Sequence, residues 1–307
     1  KETSCRFKSG PGHQIKNMAK KFIKPSDYLG KMFKSWKLAL ITTSVISVIF
    51  LSYGFSLPNI YKSSVKISPV EGSNNPIGGL QSGLAGFASL AGVSLPASNT
   101  SKQDLLEATI KSKQLFKEFF NDDSIAPSLV ASKKINSKKE IIFDKNIYDS
   151  ENNKWTKKPL LTLSYRSFLN KLQFNVERQS GLIEISFKHV SPEFSYFFIN
   201  KLLEKADEKI RLNDLMEAEN KLLFLNNEIN QTDKIEIQKS INSLIKIELE
   251  KQMLAKISKN YSYTIVDVSM VPELKYSPSR LLILIAGVFV GLISSVILIA
   301  LKISFRE

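Results

Sequence analysis

The chain has 307 residues, of which 43% are hydrophobic and 23% charged, and its formal net charge is +14. One cysteine, Cys5, leaves no partner for an intrachain disulfide, and two histidines make no histidine or cysteine cluster of the kind that holds zinc. The excess of lysine would suit nucleic acid, but its placement beside an apolar run has another cause.

Residues 1–37 carry Lys1, Arg6, Lys8, Lys16, Lys20, Lys21, Lys24, Lys31, Lys34 and Lys37 against only Glu2 and Asp27. Residues 38–57 (LALITTSVISVIFLSYGFSL) carry no formal charge. As a helix they reach about 30 Å, the thickness of a bilayer's hydrocarbon core. This run is predicted to be the first transmembrane helix. A cleaved signal peptide is the alternative, since Ser52 and Gly54 flank Tyr53. The run exceeds the apolar core of such a peptide, and the leader before it is too long. Lysines beside a span both set its orientation and attract anionic lipid, so the basic arm reads as cytoplasmic and nucleic acid is not needed to explain it. Cys5 then lies on the cytoplasmic side. Met18 is a candidate start, as is a position before Lys1, and the sequence leaves both open.

Residues 58–280 read as the exported domain. Ile60 to Val70 alternates, with Tyr61, Val65 and Ile67 on one side and Lys62, Ser64 and Lys66 on the other, which predicts a half-buried strand. Residues 71–100 are rich in glycine and serine. No Gly-Lys-Ser/Thr follows them, so an apolar loop near the membrane is preferred to a phosphate loop. From Asp104 to Phe120 a helix is predicted, with Leu105, Ala108, Leu115, Phe116 and Phe119 as its apolar stripe and Ser101 or Asp104 as cap. The lysine- and asparagine-rich residues 132–158 read mostly as surface loop. Leu172 to Arg178 and Leu182 to Val190 have period two and are joined by Gln179, Ser180 and Gly181, the pattern of a β-hairpin.

At Ser191 and Pro192 the period changes to that of a helix. Ser191 suits the N-cap, Pro192 the first helical position, and Glu193 adds early negative charge. A long helical region is expected over about 192–258. Ala218, Leu222, Leu225 and Ile229 form a seam in its first part. Ile237, Ile241, Leu244, Ile245 and Leu249 are expected to face inward in its second. Between them, Asn230 to Asp233 is polar. One continuous helix and a helical hairpin both remain open, and the lack of glycine or proline beside Thr232 favours continuation. Tyr261 to Val271 reads as a closing strand with a bulge. Pairing with the first strand would close the domain over the bilayer. Pro272 and Pro278 bracket an extended segment leading to residues 281–301, the uncharged second transmembrane helix. In that helix Gly287, Gly291 and Ser295 recur every four residues and line one face, predicted to pack against the first span or a neighbouring subunit. Lys302 and Arg306 in the tail, 302–307, place it in the cytoplasm as well.

No catalytic constellation emerges. His13 falls in the basic arm, and His189, near a strand end, reads as structural. Asp207, Asp214, Glu217 and Glu219 read as a solvated helix face, not a glycosidase pair. No cofactor is expected. The elements give an α+β exported domain with a long helical region, anchored by two transmembrane α-helices.

Segments along the chain also resemble a known family. They are DYL at 27–29 with Trp36-Lys37, IYKSSVKISP at 60–69, GLAGFASLAG at 83–92, IYDSENNKW at 147–155, GLIEISFKHVSPEFS at 181–195 and VDVSMVPELKYSPSR at 266–280. In order and spacing the chain resembles the Wzz-type chain-length determinants, the polysaccharide co-polymerases of Gram-negative inner membranes. The resemblance implies that the exported part is an α+β periplasmic domain with long projecting helices, and that the chain is a non-enzymatic regulator of chain length for lipopolysaccharide O-antigen or a related surface glycan. It implies a homo-oligomeric ring, eight subunits being one size left open, beside an integral-membrane glycan polymerase and its lipid-linked polysaccharide. It also matches Pro272 and Pro278 to the family's proline-rich segment and puts Gly287 and Gly291 in its second span. No Walker motif of the kinase-bearing sister group occurs in these residues. A two-span membrane sensor or adaptor of the cell envelope is the alternative.

Overall fold

The computed structural model describes residues 36–70 and 102–304. The basic arm as far as Ser35, the glycine-rich stretch with the cap candidate Ser101, and residues 305–307 of the tail lie outside the described residues. The chain divides into two compact units, one of them Leu57–Ser279 and the other containing the apolar helices α1 (Trp36–Ser56) and, at the far end of the sequence, a 25-residue helix over Arg280–Ser304.

The Leu57–Ser279 unit is built on a mixed-length antiparallel sheet. Strand β1 (Tyr61–Pro69) buries Ser63, Val65 and Ile67 and turns Lys62 and Lys66 outward, as its period of two requires. Helices α2 (Lys102–Ile110), α3 (Lys113–Asn121) and α4 (Ala126–Val130) follow. A single helix over Asp104–Phe120 was expected, and the chain instead breaks at Ser112. Its hydroxyl accepts the Leu115 N–H at 3.1 Å and starts a new helix. The break rotates the stripe, so Leu106 and Ile110 are buried while Leu105 and Ala108 are exposed. Residues 132–158, expected to be mostly loop, contain two small hairpins, β2 (Ser132–Ile135) with β3 (Ile141–Phe143) and β4 (Tyr148–Asp149) with β5 (Lys154–Trp155). Tyr148 stacks edge-on against Phe143 and Trp155, which fixes both hairpins to each other.

Helix α5 (Leu161–Lys171) runs directly into β6 (Leu172–Val176), and β7 (Ile183–His189) returns antiparallel, pairing Phe174 with Ile185 and Val176 with Ile183. The turn needs Gly181, whose φ of 69° suits a residue without a side chain, and its N–H reaches the Glu177 carbonyl. Next comes α6 (Pro192–Gln231), 40 residues long, capped by the Ser191 hydroxyl accepting the Phe194 N–H. Its first five turns bury Phe194, Phe198, Ile199, Leu202, Leu203 and Ala206 against the sheet. Ser195 fastens the contact: its hydroxyl donates to the Phe187 carbonyl at 2.7 Å and accepts the Ser63 N–H at 3.0 Å. After α7 (Ile235–Ile257), β8 (Tyr263–Asp267) pairs with β1, giving the order β6-β7-β1-β8. The β1–β8 register slips between Lys66 and Ile67, which face Asp267 and Ile265 and leave Val266 as the bulge.

The long helical region is a hairpin and not one helix. Lys251 meets Asp214 and Lys221 meets Glu248, so the partners approach one another in sequence as the two helices near their turn. Side chains close this turn without glycine or proline. The Thr232 hydroxyl donates to the Glu228 carbonyl and the Gln238 amide to the Thr232 carbonyl, at 3.0 and 2.7 Å. Of the residues expected to face inward on α7, only Ile241 is buried, while Ile237 and Leu249 are exposed. On the α6 seam Ala218 is buried, and Leu222, Leu225 and Ile229 are half-buried.

The core centres on aromatic rings. Phe187 and Phe198 lie 4.5 Å apart between centroids, and Phe116, Phe119, Phe168 and Phe194 surround them. Phe198 touches strand, helix and helix together, so Phe198→Ala is expected to cost about 3–5 kcal/mol. Denaturant unfolding of the purified chain in detergent, followed by circular dichroism, checks the loss.

Candidate assembly surfaces and buried polar sites

Helix α1 and the last helix, α8 (Arg280–Ser304), are each long and apolar enough to cross a membrane. They pack against one another at small residues. A Cβ placed on Gly287 would stand 2.7 Å from the Phe50 Cβ, and one on Gly291 would stand 2.9 Å from the Thr43 Cα. Backbones that close admit no larger side chain. Ser295 continues the same face, is buried, and donates to the Leu292 carbonyl at 2.8 Å. The Gly287, Gly291 and Ser295 face therefore lies against α1 of its own chain. Gly54 completes the contact from the other side, its Cβ position being 3.8 Å from the Ile283 Cβ. In the sequence Gly54 figures only beside Tyr53 in the pattern of a cleavage site; in the structure it lies in the last turn of α1 and packs on α8.

Pro272 and Pro278 flank the segment that closes the foot of the Leu57–Ser279 unit. Ile60 and Ser277 form a bridge, with the Ile60 N–H donating to the Ser277 carbonyl and the Tyr276 N–H to the Ile60 carbonyl, both at 2.8 Å. Above it the Ser63 hydroxyl donates to the Met270 carbonyl and the Ser269 hydroxyl to Asn200. The segment is thus bonded to β1 and α6 at several points.

Beyond Ile210, α6 leaves the core, and with α7 it exposes large apolar side chains. Met216, Leu223 and Phe224 on α6 and Ile235, Met253 and Ile257 on α7 are all more than half exposed. Scattered exposed apolar residues are ordinary, but this many on one helical hairpin make a surface suited to contact.

The acidic residues of α6 divide into two kinds. Glu217 and Glu219 are exposed, with Glu217 paired to Lys221. Asp207 and Asp214 are not the solvated groups the sequence suggested. Asp207 is 4% exposed. Its Oδ1 accepts the Tyr261 N–H, the Ser262 N–H and the Ser262 hydroxyl at 2.6–2.9 Å, while Oδ2 takes Arg211. Asp214 accepts the Tyr261 hydroxyl at 2.6 Å. Burial, together with Asp214, holds the Tyr261 phenol protonated well above its ordinary range. Burial and the Asp207 carboxylate push Tyr263 up to about 12. These carboxylates start β8; they fit a structural clasp, since no nucleophile and base converge there. A helix-face pattern cannot reveal this, because the donors come from the start of a strand 47 to 55 residues away.

His189 is also structural. The Ser191 N–H donates to Nδ1 at 3.1 Å, and Nε2, carrying the proton, donates to the Ser128 carbonyl at 2.9 Å. Burial, helped by Lys171, lowers its pKa to about 3. Among the described residues no group of three or more histidine, cysteine, aspartate or glutamate side chains could hold a metal ion.

No family model and no curated protein matches the chain. Among solved structures it is similar to a full-length bacterial polysaccharide co-polymerase. The TM-score is 0.43 at 10% identity, over 91% of this chain and 97% of that one.

Two predictions follow from this geometry. With Cys5→Ser as background, Gly54→Cys with Ile283→Cys should form a disulfide on mild oxidation, because the Cβ separation is that of natural disulfides. Adding Gly291→Leu should abolish the cross-link, read as mobility on a non-reducing gel after cleavage between the helices. The second concerns pH. A histidine whose folded pKa is depressed stabilises fully above pH 6.5, and that stability is lost as pH falls from 6.5 toward 3, at about 1.4 kcal/mol per pH unit. His189→Gln, which can keep both hydrogen bonds, should flatten the acid limb of the stability profile by that slope, measured by denaturant unfolding at several pH values.

Proposed function

We propose that the chain is a non-enzymatic regulator of surface-polysaccharide chain length, acting as a homo-oligomeric scaffold beside a glycan polymerase in a bacterial inner membrane. The observation that carries this reading is the α6–α7 hairpin, raised beyond the core on a domain whose two ends lead into apolar helices. A helical arm of some 20 residues per limb reaches about 30 Å past the core. Its exposed apolar side chains fit contacts between copies, as the ring implied by the sequence resemblance requires. The buried ionisable groups support the same reading. Asp207, Asp214 and His189 are engaged in fixing the fold, and a scaffold needs no group poised to transfer a proton.

Both termini are cytoplasmic and the Leu57–Ser279 unit is periplasmic in this proposal, the basic arm being held by anionic lipid on the inner face. The glycan is lipopolysaccharide O-antigen or a related surface polymer, met as the lipid-linked chain at the polymerase. The Gly287 and Gly291 contact keeps the two spans of each subunit as one rigid foot. The ring is then assembled through the hairpins.

Three outcomes test this. In intact spheroplasts an impermeant thiol reagent should label Asn152→Cys and leave Cys5 unlabelled. Cells lacking the gene should lose the preferred length from their glycan ladder on gels, and the intact gene should restore it. Met216→Glu with Phe224→Glu should leave the circular dichroism and the expression level unchanged, lower the oligomer mass in mild detergent, and broaden the ladder. An unchanged mass and ladder in that variant would remove the hairpin from the assembly.

A further inference from the structure

The outer face of the sheet holds an arrangement that works against its own stability. Lys62 of β1 and Lys188 of β7 are direct partners in the antiparallel register, and like charges directly opposite one another destabilise a strand pair. Both ammonium groups are gathered over one ring, that of Tyr276, at 5.8 and 4.8 Å from its centroid. Lys62 also reaches Glu184 at 3.3 Å. Among the described residues, Lys188 has no carboxylate within ion-pairing distance, and Lys66 adds a further exposed cation on the same face of β1. Glu184 and Asp267, which lies opposite Lys66 in the ladder, thus stand against three lysines, and neither forms an ion pair with Lys188.

The position of this cluster is set by the chain. Tyr276 belongs to the bridge that pairs Ile60 with Ser277, and Ile60 follows the end of α1 by four residues. Arg280, which begins α8, follows Tyr276 by four residues, at most about 14 Å of extended chain. On the reading of α1 and α8 as membrane spans, these short tethers keep the cluster within reach of the lipid head groups. A tyrosine whose ring is exposed beside lysines is the composition found at membrane–water interfaces.

We infer that Lys62, Lys188 and Tyr276 form a binding site for the phosphate of an anionic phospholipid in the leaflet beneath the Leu57–Ser279 unit. The phosphate is held between the two ammonium groups, and its charge removes the repulsion across the strand pair. Tyr276 keeps both lysine side chains over one point, and Glu184 holds Lys62 in reach without neutralising Lys188. This inference rests on the two-span reading, and the partner is a lipid other than the glycan carrier.

The test uses the full chain in nanodiscs of phosphatidylcholine with and without phosphatidylglycerol. Native mass spectrometry then counts the lipids retained after release. The wild-type chain should keep phosphatidylglycerol in preference to phosphatidylcholine. Lys62→Gln and Lys188→Gln should each weaken that retention about five-fold, the contribution of one lysine near an anionic surface. Lys133→Gln with Lys138→Gln, both exposed elsewhere on the domain, should change nothing. Thermal unfolding supplies an independent sign. In phosphatidylcholine alone Lys188→Gln should unfold at a higher temperature than wild type, and phosphatidylglycerol should reverse the order. Equal retention by wild type and both lysine variants would overturn the inference. So would inorganic pyrophosphate stabilising the wild type as much as phosphatidylglycerol, since the anion would then be a soluble one. A chain that fails to enter nanodiscs at all would instead overturn the two-span reading.

Discussion

Everything in the Leu57–Ser279 unit depends on bringing its two ends back to one place. A chain whose ends lead into two packed helices must return to within a few ångströms of its start, and the pairing of β1 with β8 does this. Strand β1 is central, with β7 on one side and β8 on the other, so the first strand of the unit is hydrogen-bonded along both edges. The Ile60–Ser277 bridge then extends that closure to the foot. Loop closure between residues so distant in sequence is entropically costly, and the ladders on both sides of β1 together with the core beneath it offset that cost.

Helix α6 links this closure to the rest. Its first turns lie on the sheet through Phe198 and Ser195, and its middle holds Asp207, which accepts three hydrogen bonds from Tyr261 and Ser262 where β8 begins. A buried carboxylate is costly unless it is fully bonded, and this one has a donor for each oxygen. Removing those donors would leave a charge without partners, so the same helix that carries the outer hairpin also fixes the direction in which the final strand starts. Packing and polar bonding therefore act on a single element from two sides.

Much of this was legible in the sequence because the signals are local. Uncharged runs identify α1 and α8, alternation around Gly181 identifies the β6–β7 hairpin, and Ser191 with Pro192 marks the start of α6. The missed features depend on side chains reaching across distance or replacing a familiar turn residue. The α6–α7 turn lacks glycine and proline because Thr232 and Gln238 bond its carbonyls instead. Ser112 looks like any helix-surface serine until its hydroxyl caps α3. Asp207 and Asp214 share their spacing with exposed acids, and only the return of Tyr261 distinguishes them. Between the two apolar helices, the spacing of Gly287 and Gly291 left two partners open, and the residues that stand beside them, Thr43, Ser47 and Phe50, carry no motif.

The bulge at Val266 bears on what the proposed assembly asks of several copies held side by side. A sheet with an open outer strand offers unpaired N–H and carbonyl groups to any neighbour, and identical domains at high local density are the worst case for such zipping. Here the outer strand β8 is only five residues long, is kinked at its bulge, and ends on the charged Asp267. At the opposite margin, β6 is equally short and runs into Glu177 and Arg178. Neither margin makes a straight template for a fifth strand. In the proposed assembly, neighbouring domains would then pack closely through their helices without their sheets fusing into an irreversible ribbon.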